Sequence, residues 1–313
     1  MSQPKKHHYV PQCYLKNFRS ENGGPLFTLN IEHLKKGYNT KIKSQHPGAI
    51  CYINNYYSIK DKLILSGELK AIDFVENIVN HYYENRYQSV FEKLINNQSI
   101  SFEDAMFVSD FLVHLKIRNP YQIGLNENLK IEKIIQIAKE RYSSLKNEAI
   151  KWGYSSVFFD SIYGNEIIKL INKESLTKDF QLESLVQKFT NPEKKLALFR
   201  EAILLCQWTL IESKNDQELF ITTDNPGVAI DTFGKIHNTK FTNGFNFYFP
   251  ISPNHTLEIS DSKKDHLRTN KKEIKGKSIN SKLVMGLNHL YTKVSTRYLI
   301  ANNARTLQNF IDL

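Results

Sequence analysis

Hydrophobic residues recur at intervals of three and four in the second quarter of the chain, the spacing of one face of an α-helix. From Ser66 onward this pattern predicts a long amphipathic helix. A second helix is predicted at Ser101, where SFED places an acid three residues after a serine, and it should stop by Asn119 because Pro120 disfavours helix in its predecessor. The apolar positions of the first helix are Phe74, Val75, Ile78, Val79, Tyr82, Tyr83, Val90, Phe91, Leu94 and Ile95.

Helical patterns continue beyond this pair and give way to β-prone runs at both ends of the chain. Further helical stretches are predicted at 126–145, 165–172 and 180–189, and a late helix at 277–295. On the N-terminal side, PLFTLNI predicts a strand with KKGYNTKIK as a possible partner, and CYINNYYSI is β-prone. On the C-terminal side, LLCQWTLIES and ELFITTD flank the turn-rich KNDQ and predict an antiparallel hairpin, followed by strands at FNFYFPIS, HTLEIS and RYLIA.

This order of elements predicts an α+β protein that forms a single domain over residues 1–313. We expect a β-rich segment over 1–65, a mainly helical block over 66–200, and a β-rich segment with one late helix over 201–313. The N-terminal and C-terminal β segments are expected to meet in one mostly antiparallel sheet.

Charge adds a hint about partners. Lys and Arg total 42 against 32 Asp and Glu, a formal net charge of +10, which favours anionic partners such as nucleic acid or a phosphate-bearing ligand. A merely lysine-rich solvated surface fits the same numbers. A partner protein from a neighbouring defence gene is a further expectation, and the sequence leaves the oligomeric state open.

The remaining composition restricts the class of protein. Cys13, Cys51 and Cys206 form no CxxC pair, so reduced structural thiols are expected rather than a zinc ribbon or a disulfide framework. The N-terminus lacks the apolar stretch of a signal peptide, and no run reaches the length of a membrane span. We therefore expect a cytoplasmic protein without a membrane partner.

Two adjacent histidines, His7 and His8, precede a proline in HHYVP. An imidazole can act as a general base near neutral pH or bind a metal. The spelling is similar to the HHxVP strand end of His-metal (HNH-type) nucleases, in which one histidine activates water and the other positions a metal or phosphate. Asn39 and His46 have the separation of the further Asn and His of that motif, although KIKSQHPG is not a helical pattern. The alternative is a pair that caps the next helix and bonds to backbone.

A second candidate is FITTDNPG, where an apolar strand ends in Asp224 and Asn225. Polar groups at strand ends often bind ligands or act in catalysis. Asp and Asn before Pro also form turns in which their side chains satisfy their own backbone. Taken alone, the turn interpretation is the stronger one.

Four motifs together resemble the bacterial family called domain of unknown function 4238. They are HHYVPQxYLxNF at the start, RNP at 118–120, FITTDNPG and YFPISPN at 248–254. The family pattern is an opening HHYVPQ, a central R-x-P and a late T-S-D-N-P followed by P-L-S-P. The departures are Thr223 for serine, Ile251 for leucine and Cys13 for an aromatic residue, and none removes a polar group.

The resemblance implies a site without naming a reaction. Its pattern carries over to His7, His8, Gln12, Arg118, Asp224 and Asn225. Glu84 on the first long helix and Asn288 in the late GLNH segment are further binding candidates, and each also fits a surface or capping role.

The charged segment DSKKDHLRTNKKEIKGK contains Glu273-Ile274-Lys275, the ExK of restriction-type nucleases, with Asp261 and Asp265 upstream. That chemistry needs the ExK on a buried strand. The segment is too charged for one, so it is interpreted as a solvated basic stretch that can contact phosphates.

Two hypotheses of function follow. The first is a metal-assisted phosphodiesterase, a nuclease of the toxin or phage-defence kind. In it His8 activates water, His7 and Asp224 hold Mg²⁺, Mn²⁺ or Zn²⁺ with Asn225 as a further candidate ligand, and Arg118 clamps a phosphate. The second is a non-catalytic sensor or binding module for nucleic acid or protein, in which the His, Asp and Asn residues are structural. The first depends on the histidines lying beside the Asp224 turn.

Overall fold

The protein is described by a computed structural model that covers residues 6–56, 83–121, 136, 140, 142–161, 196–215, 218–241, 244–264 and 270–311. The chain divides into two compact units. Unit 1 comprises Met1–Asn119 and Asn191–Leu313, and unit 2 is Pro120–Thr190.

The described elements run in the following order along the chain. The N-terminal part of unit 1 contains β1 (Lys6–His8), α1 (Gln12–Leu15), β2 (Leu26–Asn30), α2 (Ile31–Lys35), β3 (Lys43–Gln45), β4 (Tyr52–Asn54), α3 (Asn85–Asn96), β5 (Ser99–Ser101) and α4 (Phe102–Ile117). Unit 2 contributes α5 (142–151) and α6 (Ser156–Phe159). Unit 1 then resumes with α7 (Leu196–Leu205), β6 (Cys206–Ser213), β7 (Thr222–Thr223), β8 (Val228–Asp231), β9 (Ile236–His237), β10 (Phe245–Pro250), β11 (His255–Lys264), β12 (Lys271–Ile279), α8 (Ser281–Val294), β13 (Tyr298–Ala301) and α9 (Ala304–Gln308).

The described strands of unit 1 form three sheets. A seven-stranded sheet has the order β5-β12-β6-β11-β10-β8-β9, a four-stranded sheet has the order β3-β2-β13-β7, and β1 pairs with β4. All pairings are antiparallel except that of β12 with β6. The α+β class is therefore confirmed. Strands from the two ends of the chain meet in the four-stranded sheet, whereas the larger sheet combines C-terminal strands with β5 from the helical block.

Alternation along β10 places aromatic rings on the core side of the large sheet. Phe245, Phe247 and Phe249 are buried while Asn246 and Tyr248 between them are half-buried, as expected for a strand with one face on a core. Rings from α3 and α4 complete that core, and Phe111 lies in edge contact with Phe249 at a centroid distance of 6.4 Å.

Helix α4 begins as predicted. The Ser101 hydroxyl oxygen accepts a hydrogen bond from the Asp104 backbone N–H at 3.0 Å, the usual N-cap interaction. The helix ends at Ile117, so Arg118 becomes its C-cap residue. Its interior is buried around most of its circumference and contains Lys116, which is 1% exposed.

The predicted hairpin of LLCQWTLIES with ELFITTD is wrong. β6 lies in the seven-stranded sheet, whereas β7 lies in the four-stranded sheet beside β13. The chain leaves the first sheet after Ser213 and crosses to the second, where the Phe220 N–H donates to the Pro253 carbonyl at 2.7 Å. Tertiary pairing overrides the local turn signal here.

The interpretation of the charged segment as a solvated stretch holds for one face of a strand only. Residues 271–279 form β12, in which exposed Lys271, Glu273 and Lys275 alternate with buried Lys272 and Ile274. The strand buries a lysine because its ammonium finds acceptors: Lys272 Nζ donates to the carbonyls of Leu204 at 2.9 Å and Cys206 at 2.5 Å.

Several boundaries differ from expectation. The region KKGYNTKIK forms the end of α2 and a loop, and the partner of β2 starts only at Lys43. The late helix begins at Ser281 because residues 277–279 belong to β12. The long first helix is described only from residue 83 onward, and the stretches predicted at 165–172 and 180–189 lie outside the described residues. Within the described ranges, no helix is both long enough and apolar enough to cross a membrane.

Candidate functional site

The histidine pair sits on β1, where successive side chains point to opposite faces. His7 is opposite Ile53 and His8 is opposite Tyr52 in the antiparallel pairing with β4. Both imidazoles are buried, with 1% of His7 and 8% of His8 exposed. The two rings therefore face different surroundings and do not form one two-histidine site.

The His8 ring has an incomplete set of hydrogen bonds. Its Nδ1 lies 3.5 Å from Gln12 Nε2, while its Nε2 is buried and has no hydrogen-bond partner among the described residues. Because the Gln12 amide nitrogen can only donate, this contact makes Nδ1 the acceptor and puts the proton of the neutral ring on Nε2; Nε2 is a free base only when the Gln12 amide is turned to offer its oxygen. A buried ring nitrogen in this condition is the natural contact for a bound group.

Charges around His8 favour the neutral ring. Burial lowers the pKa of the imidazole below its ordinary value of 6.5, and the positive charges of Lys6 and Arg118 lower it further, while a backbone interaction with Gly48 acts in the opposite direction. His8 is thus neutral at physiological pH.

Arg118 carries the central positive charge of this region. It caps the C-terminus of α4 and is only 3% exposed. Burial lowers the pKa of His114, one turn earlier on α4, to about 3, and the Arg118 charge contributes to this shift. The sequence motif RNP therefore places a guanidinium within electrostatic range of His8.

Glu84 is the acid of the same region. It is half-buried at the start of α3, and burial raises the pKa of its carboxyl, whereas Arg118 and Lys16 lower it. We call His8, Gln12, Glu84 and Arg118 the His8 cluster. These four residues lie on β1, on α1, at the start of α3 and at the end of α4. Each of them is a candidate that the sequence predicts.

Asp224 lies in a different environment, with its carboxylate fully occupied. Oδ1 accepts hydrogen bonds from the Ser295 hydroxyl at 2.9 Å and the Thr296 N–H at 3.1 Å. Oδ2 accepts from the Arg297 N–H at 2.8 Å and from the Thr296 hydroxyl. The side chain is 1% exposed and closes the turn between α8 and β13.

Asn225 is saturated in the same way. Its Nδ2 donates to Asn238 Oδ1 at 2.7 Å and to the Val294 carbonyl at 2.9 Å, and its Oδ1 accepts from Lys116 Nζ at 3.1 Å. Lys116 Nζ also donates to the Gly227 carbonyl at 2.5 Å and to Asn238 Oδ1 at 3.0 Å. Burial lowers the Lys116 pKa and the Asp224 charge opposes that shift. Because four oxygens, the Asn225 carbonyl among them, lie within 3.5 Å of Nζ and a neutral amine has only two N–H donors, we assign it as an ammonium.

Further motif residues bind the ends of the chain together. The Tyr14 hydroxyl pairs with Thr222 Oγ1 at 2.5 Å and donates to the Pro250 carbonyl at 2.8 Å. Asn119 Nδ2 donates to the Asp224 carbonyl at 2.8 Å. We call Tyr14, Lys116, Asn119, Asp224 and Asn225 the junction, because their contacts join α1 and α4 to the TDNP and PISP segments.

Asn288 is a structural residue of the same kind. It is fully buried on α8, where Nδ2 donates to the Leu219 carbonyl at 2.9 Å and Oδ1 accepts from the Ile221 N–H at 3.0 Å. It thereby replaces strand pairing for the segment before β7. Both of these side-chain hydrogen bonds are made to backbone groups, which indicates a structural role.

The HNH arrangement is not formed. His46 is exposed and caps the short 3₁₀ turn Pro47–Ala49, with its Nδ1 accepting from the Gly48 N–H at 3.1 Å. Asn39 is exposed in a loop. No helix carries His46, so the expected motif is wrong beyond its first strand.

A metal held by His7 and Asp224 does not fit these contacts, because both Asp224 oxygens already accept two hydrogen bonds each. No group of three or more His, Cys, Asp or Glu side chains in the described part of the chain is placed to hold a metal ion. Glu273 and Lys275 of the ExK are exposed on β12, and Lys275 Nζ donates to Gln207 Oε1 at 2.8 Å.

Sequence reasoning missed Lys116, Tyr14 and Asn119. Tyr14 and Asn119 stand inside the HHYVPQxYLxNF and RNP motifs, so the motifs themselves signalled them. Lys116 was detectable as a lone charge in the apolar run FLVHLKIR, where a helix buried on most sides must satisfy any charge it contains.

Comparisons with known proteins place the chain in a family. No curated protein matches it significantly, and no solved structure does. A family model does match, over residues 6–305, and its description is "Protein of unknown function (DUF4238)". Because the match spans nearly the whole chain, the protein belongs to the DUF4238 family.

Proposed function

We propose that the protein is a phosphodiesterase, a nuclease of the bacterial defence or toxin kind, with the His8 cluster as its reaction centre. The observation that carries the proposal is the buried His8 Nε2 without a partner, in electrostatic range of Arg118. A neutral imidazole beside a fixed positive charge suits an anionic substrate whose reaction needs proton transfer.

The four residues of the cluster divide the work. Arg118 neutralises charge on the phosphate as it grows in the transition state. His8 accepts a proton at Nε2 from the attacking water as the new P–O bond forms. Glu84, whose pKa burial raises, keeps a proton to higher pH than an exposed carboxyl and delivers it to the leaving oxygen as the ester P–O bond breaks. For Nε2 to act as this base the ring proton must sit on Nδ1, so Gln12 must turn its amide to present its Oε1 to Nδ1 in place of the Nε2 that lies 3.5 Å away.

The proposal leaves metal dependence to experiment, so the assay below is run with and without divalent metal ions. The junction offers no free carboxylate for a metal, so no step of the reaction is assigned to one. The family-motif residues to which the proposal assigns a role in the reaction are His8, Gln12 and Arg118.

The test is a cleavage assay on supercoiled plasmid, single-stranded DNA and RNA, each with EDTA, Mg²⁺, Mn²⁺ or Zn²⁺. Wild-type protein should cleave at least one substrate. His8→Gln should lower the rate by about 10²- to 10⁴-fold, the usual contribution of a general acid or base. His33→Gln removes an exposed histidine of the same N-terminal segment and should retain full activity.

The pH dependence gives the sign of the effect. Because the pKa of His8 lies below its ordinary value, the acidic limb of kcat/KM should fall below pH 6.5 and disappear in residual His8→Gln activity. Absence of cleavage on all substrates, or equal rates for wild type and His8→Gln, would defeat the proposal.

One observation favours a second candidate, the non-catalytic sensor or binding module. Every junction side chain is satisfied by protein groups, which suits a structural role for Asp224 and Asn225. On this alternative the His8 cluster binds an anion without converting it. Binding without cleavage in the same assay mixtures would support it.

A further inference from the structure

One face of the β1–β4 ribbon carries an aromatic ring between a lysine and His8. Lys6 Nζ lies 4.5 Å from the centroid of the Tyr52 ring. The Tyr52 and His8 ring centroids are 5.7 Å apart, with the planes tilted by 54°. Tyr52 is half-buried and Lys6 is exposed, so the ring lies at the boundary between the His8 cluster and solvent.

A second tyrosine repeats the arrangement. Arg297 places its guanidinium 5.0 Å from the centroid of the Tyr298 ring, and it is exposed while Tyr298 is half-buried. The junction fixes this pair, because Asp224 Oδ2 accepts from the Arg297 N–H and the Tyr298 carbonyl accepts from the Asp224 N–H at 3.1 Å.

The two rings share a neighbourhood. The carbonyl of Cys51, which directly precedes Tyr52, accepts a hydrogen bond from the Tyr9 N–H at 3.0 Å. Burial raises the pKa of the Tyr298 phenol, Arg297 opposes the shift, and Cys51 and Tyr52 are among the groups that raise it further. Two half-buried tyrosines, each with a cation over its ring, therefore lie in one region, and Tyr52 is in contact with His8 of the His8 cluster.

This combination has a characteristic ligand chemistry. Unpaired bases stack on aromatic rings whatever their sequence, and adjacent cations follow the phosphate backbone. In a duplex the base faces are already stacked on each other and are not available to a tyrosine. The cations over the rings can swing to phosphates when bases take their place, since their side chains are long and exposed.

We propose that Lys6, Tyr52, Arg297 and Tyr298 form a stacking platform that binds single-stranded nucleic acid and presents one of its phosphates to the His8 cluster. This inference deepens the proposed function and rests on it for the fate of the phosphate. The net charge of +10 adds a long-range attraction for the same ligand.

The test is fluorescence anisotropy in EDTA with fluorescein-labelled oligo(dT) and oligo(U) of about ten nucleotides, within the site sizes common for such proteins. The third ligand is a fluorescein-labelled hairpin whose double-stranded stem pairs dA with dT. We expect single strands to bind more tightly than the duplex. Tyr52→Leu and Tyr298→Leu should each weaken single-strand binding by about tenfold, while Tyr52→Phe and Tyr298→Phe should stay within about twofold of wild type.

Tyr38→Leu is the matched control, because Tyr38 is 59% exposed on the loop after α2, and it should bind as wild type. Lys6→Gln and Arg297→Gln alter exposed side chains and leave both tyrosine rings in place. They should lower the affinity and the slope of log affinity against log salt concentration. They keep the test decisive if a leucine variant melts early.

The platform is refuted if neither oligonucleotide binds, if the duplex binds more tightly, or if the leucine and glutamine variants all match wild type. Binding in EDTA does not require cleavage. Protein that binds through the tyrosines but never cleaves retains the platform and loses the phosphodiesterase. If the protein cleaves but its platform variants bind as wild type does, the phosphodiesterase is retained and the platform is refuted.

Discussion

At the scale of single residues, His8 and Asp224 differ in what their polar atoms touch. Both are buried and both stand in the family pattern, yet the Asp224 carboxylate accepts hydrogen bonds at both oxygens whereas His8 Nε2 has no partner in the described protein. Saturated buried groups fix a structure, and unsatisfied ones are where a ligand can gain free energy. We therefore assign stability to Asp224 and chemistry to His8.

Asp224→Asn tests the first assignment. The amide retains one acceptor oxygen, but its NH₂ group faces donors from residues 296 and 297, which lose their acceptor. We expect the free energy of unfolding to fall by about 2 to 4 kcal/mol, measured by urea denaturation. Glu103→Gln removes an acid whose side chain is 75% exposed beside Arg86 and should change it by less than about 1 kcal/mol. Equal effects of the two variants would contradict the assignment.

The candidate residues could be identified from the sequence, but it could not be predicted which of them are structural and which are available to a ligand. His8, Arg118, Asp224 and Asn225 are all conspicuous in their motifs. Whether each is satisfied depends on partners far away in the chain, such as Ser295 for Asp224 and Lys116 for Asn225. Such partners have no local signature.

At the scale of elements, β12 shows how a charged sequence becomes a sheet strand. Lys271, Lys275 and Lys277 are exposed, whereas Lys272 is buried and donates to the carbonyls of Leu204, in the last turn of α7, and of Cys206, the first residue of β6. A cation at a helix C-terminus satisfies carbonyls that lack intrahelical partners. The Lys272 Nζ also lies 5.5 Å from the Trp208 ring, which adds a cation–π contact.

Lys272→Met and Lys275→Met form a matched pair on this strand. Lys272→Met leaves two buried carbonyls without their donor and should lower the free energy of unfolding by about 1 to 3 kcal/mol. Lys275 is exposed with one hydrogen bond to Gln207, and its variant should differ from wild type by less than about 0.5 kcal/mol. Denaturation curves that shift equally would show that the segment is not held as a strand.

Elements with strong local patterns were predictable, and those fixed by distant pairing were not. The strands of FNFYFPIS and HTLEIS pair in the structure as β10 and β11, and the serine cap of α4 is where SFED indicated. β6 and β7 failed as a hairpin because each finds its partners elsewhere, in β11 and β13. β12 has no alternation of charged with apolar residues to detect, because Lys272 occupies a buried position and Ile274 is the only apolar side chain before Ile279.

At the scale of the whole molecule, motifs from both ends of the chain converge in unit 1. Tyr14 bonds to Thr222 and Pro250, and Asn119 bonds to Asp224, so the junction joins the two ends of the chain through residues other than His7 and His8. The His8 cluster draws on β1, α1, α3 and α4 around it. The same motifs thus supply the hydrogen bonds of the junction and a buried imidazole, that of His8, whose Nε2 has no hydrogen-bond partner among the described residues.

The most direct measurement of this account is the titration of His8, followed by NMR of its imidazole Cε1–H and assigned with His8→Gln. In the free protein we predict a midpoint below 6.5, since burial and Arg118 lower the pKa. Addition of a dinucleotide with a phosphorothioate linkage should raise the midpoint by about one pH unit, because a bound anion favours the imidazolium. A midpoint above 6.5 in the free protein, or one that the dinucleotide leaves unchanged, would contradict the account.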